Sequence, residues 1–219
     1  MKQAVEFIIL GVTKVGEKSL VLHTLSAEYG RRSFIVSVSK SSSMALYLPL
    51  NVLSGEVSDN NLSDLWRVSA LRAEYPLNGI RNSVSKNSVC LFMSEVLYRV
   101  LRDGEYSEEL YEWCRQQILL LDAIGNSVES SANFHLLWLL GLCGELGFSP
   151  RMEDLMPFAG ERLDDLRGLL TLPYDQALLL PLSGARRSEI AEILLEYLSY
   201  HLDCRLNIRS LPVLRELFA

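Results

Sequence analysis

From the start of the chain to about Pro76, polar and apolar side chains alternate in twos. Phe34, Val36 and Val38 alternate with Ser33, Ile35, Ser37 and Ser39, the period of a pleated strand whose side chains point to opposite faces. Trp66, Val68 and Ala70 alternate with Arg67, Ser69 and Leu71 in the same way, so Arg67 and Arg72, of opposite parity, are expected on different sides of their strand. Further β-rich runs at Phe7 to Val12, Leu20 to Leu25 and Tyr47 to Val57 are separated by turn chemistry at Val15-Gly16-Glu17, Tyr29-Gly30 and Asp59-Asn60-Asn61. The pattern predicts five short strands. So small an antiparallel sheet must hide its edges, and closure into a five-stranded barrel of the OB type does so; an SH3-like barrel fits the strand count nearly as well.

Beyond Pro76 the period becomes helical. Val89, Phe92, Met93, Val96, Leu97, Val100 and Leu101 fall on one face, and Asp103-Gly104 stops the run. Ser107 is placed to cap a second helix, with Glu108 and Glu109 in its first turn, Leu110, Trp113, Cys114, Gln117 and Leu121 on its inner face, and Gly125 at its exit. Phe134 to Leu146 is apolar on every side, which predicts a central helix ended by Gly147 and Pro150. Short helices and turns are expected over residues 151–185, where prolines and glycines interrupt the pattern. Ile190, Ile193, Leu194, Tyr197, Leu198 and Leu202 mark a fourth clear helix. The two periods divide the chain into a β-barrel domain at 1–78 and a helical domain at 79–219.

The composition of the 219 residues, 49% hydrophobic and 22% charged, is that of a chain with a real core rather than a disordered one. No apolar run approaches the roughly 20 residues of a membrane span, and the opening MKQAVEFIIL is too short for a secretory leader. A soluble, cytoplasmic protein without membrane contact is expected. The formal net charge is −6, but it is unevenly placed: residues 1–75 carry eight basic and seven acidic side chains, leaving the acidic excess in the helical half. Since counterion release by Lys and Arg gives nucleic-acid binding its strength, a nearly neutral barrel binds a polyanion only if its cations share a face.

Candidate chemistry is sparse. Cys90, Cys114, Cys143 and Cys204 are too far apart for the paired ligands of a zinc site and are expected to be reduced, structural thiols in apolar helical stretches. His23, His135 and His201 show no metal-ligand spacing, and the chain holds neither a phosphate-cradling G-x-x-x-x-G-K-[ST] loop nor a G-x-S-x-G elbow. No metal and no cofactor is expected, and no enzymatic turnover; a hydrolase built on Cys143 or His135 would require a cleft where the pattern places a buried helix. Lys14 and Lys18 flank the turn at Gly16, and Arg31 and Arg32 follow the turn at Gly30, at strand ends where an OB barrel meets a nucleic-acid backbone. Tyr29, beside the basic pair, is the candidate for stacking a base, whereas Phe7, Phe34 and Trp66 are expected to fill the barrel. Arg186 and Arg187 precede Ser188, a plausible N-cap, and could pair there with a phosphate or a peptide's carboxylates; Glu189 and Glu192 compete for the same role.

Three fragments in order resemble the RecO family of recombination-repair mediators: Gly16, Glu17, Leu20, Val21, Thr24 and Gly30; then Leu146, Gly147, Phe148 and Pro150; then Tyr197, Tyr200, His201, Leu202, Ser210, Val213 and Leu214. The resemblance implies a mixed α+β protein, an N-terminal OB-fold β-barrel followed by an all-α helical domain. It also implies a non-enzymatic protein that binds single- and double-stranded DNA, anneals complementary strands, and works with RecR and the C-terminal tail of single-stranded DNA-binding protein to place the RecA recombinase on coated strands. Lys40 joins the candidate DNA contacts on this basis. Two departures stand out. Many relatives hold zinc after the Leu-Gly-Phe-x-Pro block, whereas residues 151–200 here contain no cysteine; and the family's basic cluster after the third strand is replaced by Ser37-Val38-Ser39-Lys40-Ser41-Ser42-Ser43. An adaptor with little DNA affinity of its own, acting through its partners, is the alternative.

Overall fold

The computed structural model describes residues 2–39, 42–58, 65–159 and 163–218, without the side chain of Leu163. Five strands, β1 (Lys2–Val15), β2 (Ser19–Ser26), β3 (Gly30–Ser37), β4 (Val52–Ser58) and β5 (Trp66–Ala73), close into a barrel in the order β1-β2-β3-β5-β4, with β4 pairing back onto β1. All pairs are antiparallel except β3 with β5, which touch through only Phe34↔Trp66 and Ile35↔Arg67. This is the OB arrangement, in which each strand has a partner on both sides, though β3 and β5 meet only briefly. Tyr47, expected in a strand, instead lies in a short 3-10 turn, Met44–Tyr47, ahead of β4.

The period of two builds the interior. Val5, Phe7, Ile9, Leu20, Leu22, Phe34, Val36, Leu53, Val57 and Val68 point inward and are buried. Two bulges interrupt the period. At Leu10 one residue of β1 is left over between Ile9↔Thr24 and Gly11↔His23. On β5, Ser69 pairs with Glu56 but Arg72 pairs with Ser54, so Ala70 and Leu71 together oppose one residue, and Ala70 takes φ +53°. The second bulge corrects the expectation for Arg67 and Arg72. Their partners Ser58 and Ser54 are four residues apart, an even step, so both arginines face the same, outer side of the sheet.

The helices are α1 (Asn78–Arg81), α2 (Val84–Val100), α3 (Glu108–Ala123), α4 (Val128–Ser131), α5 (Phe134–Glu145), α6 (Met152–Ala159), α7 (Leu163–Thr171), α8 (Tyr174–Leu178), α9 (Gly184–His201) and α10 (Leu211–Leu217). The chain falls into two compact units: residues 1–77 with 94–119, and 78–93 with 120–219. Among the described residues, no helix is long and apolar enough to cross a membrane.

In the first unit, the end of α2 and the start of α3 pack on the outside of the barrel. The amide of Arg31 donates to the Glu105 carbonyl and the amide of Gly104 to the Arg31 carbonyl, both at 2.9 Å. Tyr111 Oη donates to Glu6 Oε1 at 2.7 Å, and Ser107 Oγ caps α3 through the Leu110 amide, as the sequence predicts. Gly30 makes this approach possible. Its φ is +63°, and a Cβ there would lie 1.9 Å from the Glu105 carbonyl oxygen.

In the second unit, α5 is the buried axis: Phe134, His135, Leu136, Trp138, Leu139, Leu142 and Cys143 are all shielded. Lys86, wholly buried, donates from Nζ to the carbonyls of Asp122 and Ile124 and to Asn126 Oδ1, at 3.0, 2.6 and 3.0 Å. A cation thus satisfies the free carbonyls at the C-terminal end of α3, where the helix dipole favours positive charge. Burial, aided by the charge of Arg187, lowers the His135 pKa from 6.5 to about 3, so the native imidazole is neutral. Cys90 and Cys143 are buried with thiol pKa values raised to about 12, and Cys114 is buried as well. Cys204 departs from expectation: it follows the end of α9 and is exposed.

Two tests follow from this packing. Gly30→Ala is expected to destabilise the protein by several-fold more than Gly16→Ala, where φ is +68° but nothing lies within 4 Å; the second change should cost only about 1–2 kcal/mol of backbone strain. Urea unfolding of both variants decides it, and similar midpoints would remove the Gly30–Glu105 contact as a constraint. His135 remains neutral in the native state down to about pH 3 whereas the unfolded chain protonates near 6.5, so stability present above pH 6.5 is lost as pH falls toward 3. Between about pH 7 and about pH 5 the parent should lose about 2 kcal/mol more than His135→Gln.

Candidate nucleic-acid interface

The adjacent arginines Arg31 and Arg32 on β3 are sent to opposite sides by the pleat. Arg32 shares the parity of inward-facing Phe34 and Val36, and its guanidinium lies 3.5 Å from the centre of the Trp66 ring. Tyr29 packs edge-on against the same indole, with ring centres 5.1 Å apart, and donates from Oη to Gln3 Oε1 at 2.6 Å. Trp66 is therefore not interior filling. It is half-buried, packed on the core, and touched by a cation over its ring and by a phenol ring edge-on. A guanidinium on an aromatic face of this kind is a platform on which a nucleobase can continue the stack.

Arg31 points the other way, and its position corrects the expectation of a solvent-facing phosphate contact. Only 5% exposed, it lies 4.8 Å from the Tyr98 ring centre and 3.6 Å from Asp103. Burial lowers its pKa, with the charge of Asp103 opposing the shift. His23, two strand positions from the Arg31 pair partner Leu25, also meets Tyr98 edge-on at 5.1 Å; its ring bridges Thr13 Oγ1 and Ser33 Oγ at 2.9 and 3.0 Å. Its pKa is lowered by burial and then by Arg31. The outer face of β2 and β3 near Arg31 is thus occupied by the chain's own residues.

Lys14 and Lys18 stand on the β1–β2 hairpin, both exposed. Lys14 pairs with Leu20, which pairs with Val36, and the Lys18 carbonyl accepts from the Val38 amide at 2.9 Å, so the hairpin stands beside the end of β3. Arg67, which is not among the cations singled out from the sequence, reaches the same place: its Nη1 donates to Ser37 Oγ at 2.8 Å. Lys40 lies outside the described residues. Among the described residues of the barrel, Lys2 is paired with Glu56, Arg31 with Asp103 and Arg72 with Glu74, while Lys14, Lys18, Arg32 and Arg67 carry no ion pair. Of the acidic side chains, Glu17 is exposed on the hairpin between the two lysines, whereas Glu6, Glu28 and Glu56 line a groove of about 480 Å³ with Ala4, Gly55, Ala70 and Arg72.

Arg186 and Arg187 are placed differently from the expectation. Helix α9 begins at Gly184 with Ser183 as N-cap, its side chain accepting from the Arg186 amide, so both arginines lie inside the first turn. Ser188 is buried and accepts from Arg215 Nε at 2.8 Å, which leaves it no capping role. Arg187 donates to Asn133 Oδ1 and the Phe218 carbonyl at 2.9 and 3.0 Å, and Arg186 pairs with Asp165 and Glu189. The carboxylates a partner would supply are replaced by groups of this chain. Residues 151–200 bring no cysteine, and among the described residues no three His, Cys, Asp or Glu side chains converge as metal ligands.

Residues 81–155 match the family model described as Recombination protein O C terminal. Over its whole length the chain is 28% identical to the DNA repair protein RecO of Phocaeicola vulgatus and 27% identical to that of Bacteroides fragilis, each of which is covered completely. It is 26% identical to the DNA repair protein RecO of Flavobacterium psychrophilum across 97% of both chains. Together with a closed OB-type barrel followed by helices, these matches make the chain similar, from end to end, to DNA repair proteins named RecO.

Proposed function

We propose that this protein acts in DNA repair and recombination as a DNA-binding mediator that anneals complementary strands and helps load RecA onto single-stranded DNA coated by single-stranded DNA-binding protein. The observation that carries the reading is that, among the described residues, Lys14, Lys18, Arg32 and Arg67 carry no ion pair: Lys14, Lys18 and Arg67 stand at the Val36–Val38 end of β3, and Arg32 lies on Trp66 beside Tyr29 toward the strand's start. Such a combination serves single strands well: the cations replace counterions along the phosphates and the rings accept bases irrespective of sequence. Annealing needs no bond chemistry. Base pairing supplies the driving force, and the protein lowers the repulsion between two phosphate chains while holding them near each other. The RecO family is one of recombination mediators, and nothing in this mechanism calls for nucleotide hydrolysis.

RecR and the C-terminal tail of single-stranded DNA-binding protein are the partners in this reading, with the acidic helical half available for protein contacts. The alternative adaptor role draws support from one observation, the withdrawal of Arg31 and Arg187 into intramolecular contacts.

Lys14→Glu with Lys18→Glu should weaken binding of a single-stranded oligonucleotide by about tenfold or more at low salt, and flatten the plot of log affinity against log salt by about 0.7 per lost phosphate contact. Arg187→Ala should leave that slope unchanged and lower the unfolding midpoint. Fluorescence anisotropy across a salt series distinguishes the readings: salt-independent or undetectable binding by the parent, with partner binding intact, would establish the adaptor instead.

A further inference from the structure

The barrel has one weak seam. Strands β3 and β5 pair over two residues and then diverge, because β3 ends at Ser37 while β5 continues through its bulge at Ala70. Where they part, a groove of about 320 Å³ opens. Its floor is the apolar set Val36, Leu46, Tyr47, Val68 and Leu71, and its rim is Ser37, Ser42, Ser43 and Ser69 with the guanidinium of Arg67. Four hydroxyls and a fork of donors surround an apolar bed. Arg67 is exposed, and among the described residues its only side-chain bond is the one to Ser37 Oγ, which holds it across the head of the groove.

We infer that this seam is a pocket for one unpaired nucleotide of a DNA strand, with the base laid on the Val36–Leu46–Val68–Leu71 floor and the adjoining phosphate held by Arg67. The inference rests on the DNA-binding reading above and deepens it by naming the state of the strand. A base can enter a groove of this size only if its Watson–Crick partner is absent, whereas a phosphate can meet Lys14, Lys18 or Arg67 from either a single strand or a duplex. The hairpin cations thus serve both forms of DNA, and the seam separates them. The rim hydroxyls are mostly engaged within the chain, Ser37 with Arg67, Ser42 with Ser39 and Ser69 with the Glu56 carbonyl, and present no fixed pattern for one base edge, so the pocket selects for an unpaired base and not for sequence.

The test uses the full chain and two substitutions that fill the groove from opposite walls without changing charge. Ser69→Phe adds an aromatic ring on a strand, where it is well accommodated; Ser43→Trp adds one from the 3-10 turn, at an exposed residue whose side chain caps nothing. Retention of the parent's circular dichroism and melting temperature qualifies each variant. With anisotropy measured on a single-stranded oligonucleotide and on the matching blunt duplex, each filled variant should bind the single strand roughly tenfold more weakly, the loss of one base's burial on apolar surface, with duplex affinity unchanged. Arg67→Gln should weaken both. If single-strand and duplex affinities keep the parent's ratio in both filled variants, the pocket is overturned while DNA binding stands. If the parent binds neither DNA at low salt, it is the DNA-binding reading that fails.

Discussion

The backbone of Gly30 and Arg31 runs so close to that of Gly104 and Glu105 that the two segments exchange hydrogen bonds as if they were neighbouring strands. That approach requires a residue without a Cβ in a left-handed conformation. Once it is made, the outer face of β3 at Arg31 is covered by Tyr98 and Asp103, a guanidinium is taken out of water, and residues 94–119 join the barrel as one compact unit. Which face of the barrel stays open to a nucleic acid is set by the face that this contact closes.

Covering one face leaves the β1–β2 hairpin, the Arg32–Trp66–Tyr29 stack and the β3–β5 seam as the cation-bearing surface. Electrostatics sharpen the division. Lys2, Arg31 and Arg72 are neutralised locally, and Glu6, Glu28 and Glu56 line the groove at Ala4 and Gly55, so a barrel whose charges nearly cancel in sum still presents, among the described residues, cations without an ion pair. Binding strength in this arrangement depends on a few side chains rather than on net charge, which makes it sensitive to salt and to single substitutions.

Much of the fold was legible in the sequence. Alternation located the strands, and the helical period located α2, α3, α5 and α9, because burial of one face leaves a period in the residues. The bulge at Ala70 was not legible: no glycine or proline marks it, and it reverses the parity that would have separated Arg67 from Arg72. Nor was the pairing of Gly30 with Glu105, a contact between residues far apart in the chain. The opposed directions of Arg31 and Arg32 could have been read from strand parity alone, since neighbours on a strand face opposite sides. At α9 the expected cap, Ser188, lies inside the helix with its hydroxyl bound by Arg215, and Ser183, five residues earlier, takes the cap.

The most direct measurement is a footprint of single-stranded DNA on the intact protein by hydrogen exchange and photo-crosslinking. Protection and crosslinks confined to the β1–β2 hairpin, Trp66 and the β3–β5 seam, with Tyr98, Asp103 and Arg31 unaltered, are the predicted result. Crosslinks at Tyr98, or faster exchange of the Arg31 and Gly104 amides when DNA binds, would mean that the helical cover lifts and that the face beneath it is the true binding surface.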